Sequence, residues 1–398
     1  MRRAALLWGV FVLPGNGALF HAEAERVFPM NHTIHLKKQL RCIYLSNFFS
    51  GLRITDAVWV ALLAARGFSL WEIGLAESVY HIVSLLCEVP SGMAADLLGR
   101  KRALVAGGIL AVLSSLLMAF APGLFLICAA MGLNALSNAM FSGTDAALTY
   151  DSLKQAGQEE RYLSVAANRS QIGMLASALG SLASTLRRFL RFSGFYLVSA
   201  LFSSISTLAM LLLKEPVVTE AQAARSSHSL RELPGQFAQL VRDSAAALRG
   251  CPLAAKLIAA DAVISVPCYL TKMFLQQRLV ELGWPTEWLF LPLLLVGGGT
   301  FLVGAAPAWG GILGMMLVQG VLEVWLLHAD QRLNALISSD QRATLISVDS
   351  MAYSVLMIPA SPFVGAVGDL FGQAGAGLAL LGVLTAASGA AVLAKRRS

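Results

Sequence analysis

Charge is what this sequence has least of. Only 13% of its 398 residues are Asp, Glu, Lys or Arg, against 57% hydrophobic. Soluble domains carry about 25% charged residues, so a soluble globule of this length is excluded. Cysteines are few and scattered: Cys42, Cys87, Cys128, Cys251 and Cys268 form no CxxC pair and no Cys/His cluster. That excludes a disulfide framework and a zinc site, and the five read as small core hydrophobes. No apolar run alternates as the strands of a membrane barrel do. The glycines at 297–299 lack the flanks of a nucleotide loop, and no nucleophile constellation or metal cluster occurs. The residues therefore point to no enzyme and to no cofactor. A basic stripe interleaved with aromatics is missing too, so the net charge of +7 does not indicate nucleic acid.

What the chain does have is apolar runs about 20 residues long, the length that crosses a bilayer as a helix. Only helices and closed barrels satisfy their backbones in lipid. The expected fold is therefore an all-α polytopic membrane protein, with its basic excess in cytoplasmic loops. Spans are expected near 42–63, 71–93, 103–120, 124–150, 162–186 and 192–213, then near 252–274, 288–306, 309–328, 343–365 and 374–393. These are eleven in number, six followed by five.

The ends and the middle are distinct. Residues 1–39 are an N-terminal extension in which Arg2, Arg3 and an apolar run imitate a secretory signal. A cleaved signal would leave Lys37, Lys38 and Arg41 outside, against the positive-inside rule. The reading is therefore an upstream extension with Met30 as the true start. Residues 40–213 form a first bundle and 253–398 a second, one helix short. Between them, 214–252 reads as a cytoplasmic linker with an amphipathic helix on the membrane surface.

Polar residues inside apolar spans are costly and mark function by default. In the first span Asn47, Ser50, Arg53 and Asp56 recur every third residue, so a continuous helix would place them on one face. Arg53 and Asp56 there are a cavity pair or a structural ion pair. In the second span Glu77, His81, Ser84 and Glu88 share a face. They suit a proton relay, or a hydrogen-bonded set that holds helices together. The third span is almost wholly apolar and reads as lipid-facing. The fourth carries Asn134, Asn138 and Asp145, and the fifth Arg169, Gly173 and Gly180.

After the second span comes Gly92-Met93-Ala94-Ala95-Asp96-Leu97-Leu98-Gly99-Arg100-Lys101-Arg102. Gly92 is expected to let two backbones approach, Gly99 to turn with positive φ, and Asp96 to cap a neighbouring helix N-terminus. The basic cluster places this hairpin in the cytoplasm. The pattern G-x-x-x-D-x-x-G-R-K-R resembles the signature loop between the second and third helices of the major facilitator superfamily.

That resemblance implies a two-bundle helical fold of parallel repeats. It implies a secondary active transporter that moves a small molecule by alternating access, as a monomer in the bacterial cytoplasmic membrane, with protons as the candidate coupling ion. Carried onto this chain, the cavity residues are Arg53, Asp56, Asn138, Asp145, Asp261 and Glu323. The cytoplasmic gate is Gly92, Asp96, Gly99 and Arg100 with Asp151, near the helix start after Arg342. Glu77, His81 and Glu88 are the candidate proton path. Export is the expected direction. The alternatives are uptake of a sugar-like nutrient and a truncated paralogue that transports nothing.

Several features qualify the match. Ala139 stands where proton-coupled drug exporters of the superfamily carry an arginine, and the fifth span has no Gly-Pro pair. A weak internal repeat relates Ser142-Gly143, Asp145, Arg161 and Asn168 to Gln319-Gly320, Glu323, Arg342 and Asp349. Gly365-Ala366-Val367-Gly368-Asp369-Leu370-Phe371-Gly372 echoes the hairpin core. Residues 284–310 would reach only about 40 Å as a helix, too short to cross twice. Either the segment is a broken re-entrant hairpin hinged at the glycines 297–299, buried in protein, or the chain lacks part of its eighth and ninth helices relative to the family, which is the favoured reading. Cysteines placed singly at Arg100 and Arg342 should react with impermeant reagent only from the cytoplasmic face; labelling from opposite faces would rule out the two-bundle topology.

Overall fold

The computed structural model describes residues 35–56, 58–182, 189–217, 252–281 and 339–372, with a few isolated positions between them. The N-terminal extension, most of the linker, the short segment around 288–306, Glu323 and the last span lie outside the described residues. The described elements are helical: α1 (Leu36–Gly51), α2 (Trp59–Ala64), α3 (Leu70–Leu98), α4 (Arg100–Phe120), α5 (Leu124–Phe141), α6 (Thr144–Gln155), α7 (Tyr162–Ser181), α8 (Phe192–Leu211), α9 (Pro252–Glu281) and α10 (Ser339–Leu370). Among the described residues, five helical stretches are long and apolar enough to cross a membrane.

The longest helix of the first half, α3, starts with a capping box. Ser69 Oγ accepts from the Glu72 backbone N–H at 3.2 Å, and Glu72 Oε2 accepts from the Ser69 N–H at 2.8 Å. Such a cap stabilises a helix start by about 1 kcal/mol. At its other end Gly99, at φ +100°, is the whole turn between α3 and α4. The basic cluster that follows sets the inner side, so the α3 start lies at the outer face. Gly92, expected to mediate close approach, is exposed, and a Cβ there would meet nothing within 4 Å.

Two expected spans are broken. The first runs as α1, a turn, then α2, so Arg53 and Asp56 do not continue the helical face of Asn47 and Ser50. The turn is held by Arg53 N–H to the Gly51 carbonyl at 2.8 Å and Ile54 N–H to the Leu52 carbonyl at 2.9 Å. Across the bundle, Gly180 of α7 leaves room for this turn: a Cβ there would sit 2.8 Å from the Arg53 nitrogen. The fourth span breaks at Ser142-Gly143, where Gly143 takes φ +69°, so Asp145 lies in the first turn of α6.

The third span, expected to face lipid, is packed on one side. Gly107 and Gly108 of α4 bring it against Met140 of α5 and the Thr207 side chain of α8. Small residues permit such contact, and apolarity alone cannot separate a lipid face from a helix face.

Two cores result. The outer one joins both halves: Val60, Leu70, Ile73 and Ala76 pack with Leu270, Phe274, Met357 and Val364. The inner one, around Leu40, Ile43, Leu148, Leu153 and Met210, belongs to the first half alone. Gly180→Ala should therefore destabilise the bundle by about 1–3 kcal/mol, read as a lower thermal midpoint in detergent. Gly92→Ala should leave the midpoint unchanged or raise it slightly.

Candidate functional site

The break in the first span opens onto a cavity of about 850 Å³, within the range of small-molecule sites. Its walls come from both halves. Asn47, Ser50, Arg53 and Asp56 line it from the first span; Glu77, Tyr80 and His81 from α3; Asn138 and Asp145 from α5 and α6; Tyr269 and Tyr353 from α9 and α10. Arg53 Nη1 lies 3.8 Å from Asp56 Oδ2, and both side chains are more than half exposed, to the cavity rather than to lipid. A water-filled cavity is where an intramembrane charge is tolerated. Asn138 Nδ2 donates to the Tyr80 hydroxyl at 3.1 Å and to Asn134 Oδ1 at 3.2 Å.

The outer end of the cavity holds a buried carboxylate and imidazole. Glu77 is 2% exposed and His81 5%. The Tyr269 hydroxyl donates to Glu77 Oε1 at 2.8 Å, so this bond crosses between the halves. His81 Nε2 lies 3.4 Å from the same oxygen, yet neither ring nitrogen makes a hydrogen bond. The edges and faces of Tyr80, Tyr269 and Tyr353 box the imidazole, with ring centroids 5.3–6.3 Å away.

No protein-family model matches the chain. Over 178 residues it is 26% identical to the uncharacterized MFS-type transporter YxaM of Bacillus subtilis (strain 168), a stretch that covers 43% of this chain and 44% of that relative. The crystal structure of nucleoside transporter NupG superposes with a TM-score of 0.67 at 15% identity, over 92% of this chain and 100% of that one. A POT family transporter crystallised with 5-aminolevulinic acid superposes at 0.58 with 11% identity, over 92% and 97%. The fold is of the major facilitator type. The chain resembles transport proteins rather than enzymes, and it is a multi-pass helical membrane protein.

Within this major-facilitator fold the expected residues separate. Arg53, Asp56, Glu77, His81, Asn138 and Asp145 meet at one cavity. Glu88 is half-buried lower on α3 and is not among the lining residues. Asp261 is buried on α9, accepts weakly from Ser265 Oγ at 3.4 Å, and does not line the cavity. Asp96 and Arg342 have helical backbones, and their side chains, like all of Glu323, lie outside the described residues.

At the inner face, Arg100 Nη1 donates to Asp151 Oδ2 and to the Ala147 carbonyl. Glu215, not singled out in the sequence, accepts from the Arg100 and Lys101 backbone N–H groups at 2.8 and 2.7 Å, and so caps α4 from the start of the linker. Gln39 fixes the preceding residue, accepting from the Lys214 N–H and donating to its carbonyl.

Three tyrosines and one arginine also join the site without having been singled out for it in the sequence. Tyr80, Tyr269 and Tyr353 carry hydroxyls into apolar helices, which is itself a signal, because a buried hydroxyl seeks a partner. Arg169 Nη2 pairs with Asp145 Oδ2, Arg169 Nη1 reaches Thr149 Oγ1 at 3.3 Å, and the Arg169 carbonyl accepts from Asn47 Nδ2 at 2.7 Å. Two opposite charges in neighbouring apolar spans could have been read as a pair. Arg169→Gln and Asp145→Asn should each lower the thermal midpoint. The double variant should lose less than the sum, with a coupling of about 0.5 kcal/mol or more.

Proposed function

We propose that this protein is a secondary active transporter that moves a small polar solute by alternating access across a bacterial cytoplasmic membrane, with protons as the coupling ion. The observation that carries the reading is the cavity itself. It lies between the two halves of a major-facilitator fold, is lined by hydrogen-bonding groups of both, and is spanned at its outer end by the Tyr269–Glu77 bond. Arg53, Asp56, Asn138 and Asp145 bind and orient the solute. Glu77 and His81 hold the coupling proton: the carboxylate is a strong acceptor for the Tyr269 hydroxyl, and a protonated one is a weaker acceptor. Loading Glu77 therefore loosens the contact between halves. Gly92, Asp96, Gly99 and Arg100, with Asp151 and Arg342, form the inner gate.

Export is the direction we propose, because the stretches 141–154 and 341–350 look most like bacterial members of the superfamily, some of them drug exporters. The polar lining of the cavity supports a second reading, uptake of a nutrient.

In proteoliposomes with an imposed pH gradient, the native chain should accumulate its solute against a concentration difference. Glu77→Gln should lose that accumulation while retaining solute exchange at equal pH. In cells, expression should lower sensitivity to an exported compound, and Asp145→Asn should abolish the effect. Accumulation by Glu77→Gln at the native level would remove Glu77 from the coupling step. Raised uptake of a nutrient without any protection would reverse the direction.

A further inference from the structure

The hairpin pattern has an echo at Gly365–Gly372, and the structure places that echo at the opposite end of the molecule. It closes α10, beside the start of α3. The two copies share their mechanics: each puts an aspartate in the last turn of a helix and ends that helix with a glycine of positive φ, +100° at Gly99 and +66° at Gly372. An aspartate there is in the wrong place for its own helix, because it faces the negative end of the dipole. Asp369 is offset by another helix. Its Oδ1 accepts from the Leu70 N–H at 2.9 Å and its Oδ2 from the Trp71 N–H at 2.7 Å, the first two backbone donors of α3.

The seam below these bonds is built for reversible close contact. A Cβ at Gly365 would run into the Leu70 carbonyl, and one at Gly74 would sit 2.5 Å from the Ser361 carbonyl oxygen and 2.7 Å from Pro362 Cα. One turn further in, Ser78 Oγ donates to the Ile358 carbonyl at 2.6 Å. That carbonyl is available because Pro362, four residues on, has no N–H to give it. The two halves thus meet in an antiparallel register through Leu70, Gly74 and Ser78 of α3 and Asp369, Pro362 and Ile358 of α10.

We infer that Asp369 is the outer latch of the transport cycle: its carboxylate, seated on the N-terminus of α3, holds the outer face closed and must let go for the cavity to open outward. This rests on the alternating-access reading. Asp369 touches no solute; it is a positioning residue that sets how often the outer face opens.

The test uses a full-length chain with its native cysteines replaced and one reporter, Ser115→Cys, on the cavity wall of α4. An impermeant maleimide is applied from the outer or the inner face of oriented vesicles. Asp369→Ala should raise the outer labelling rate by about threefold or more while the inner rate stays level or falls, because the outward population grows at the expense of the inward one. Asp369→Asn, whose side chain keeps one acceptor oxygen, should fall between. If both rates stay at the native value, or both rise together as in a loosened fold, the latch is refuted while transport stands. If position 115 never labels from outside in the native chain or in either variant, alternating access itself fails.

Discussion

Every backbone N–H and C=O inside a bilayer needs a partner, because lipid offers none. The described residues of this protein can be understood as a set of answers to that demand. At several places where a helix starts or meets a proline, a named group fills the gap. Ser69 and Glu72 satisfy the start of α3 locally, and Asp369 finishes the task from the other half. Glu215 does the same for α4 from the linker. Ser78 supplies the donor that Pro362 withholds from Ile358. The broken first span turns its irregular backbone toward a cavity, where water can take the place of a protein partner. Function follows from where these repairs are made. A carboxylate that caps a helix within its own half fixes that half; one that caps across the seam ties the halves together.

The class of fold was legible because composition alone leaves few alternatives: little charge, long apolar runs and a basic hairpin. The polar residues of the cavity were also largely legible, since Arg53, Glu77, His81, Asn138 and Asp145 each stand out against an apolar background. Periodicity failed where helices break. The three-residue spacing of Asn47, Ser50 and Arg53 predicts one continuous face, but the chain turns at Leu52 and Arg53, where Gly180 of α7 leaves it room. That room is provided by a residue more than a hundred positions away, and no local window contains it. Gly92 shows the reverse case, a glycine that looked like a packing device and faces open space. The echo at Gly365–Gly372 was visible as a pattern, but a pattern carries no address. Its placement on the outer face depended on the direction of α10 and on which helix lay beside it.

The two similar devices at the ends of α3 therefore differ in what they connect. At the inner end, Arg100, Asp151 and Glu215 bind elements of the first half and the start of the linker to one another. At the outer end, Asp369, Ser78 and Tyr269 join the halves. The larger core follows the same division, with side chains of both halves packed only toward the outer face among the described residues.

The proline at 362 has one more implication. While the halves touch, the Ile358 carbonyl is satisfied by Ser78; once they separate, its own helix cannot take it back. The first donors of α3 lose Asp369 at the same moment. A bare carbonyl inside the bilayer is too unfavourable to persist, so solvent must reach the seam as it parts. Parting the halves along this seam would be a wetting event, because water has to take the places that Ser78 and Asp369 leave.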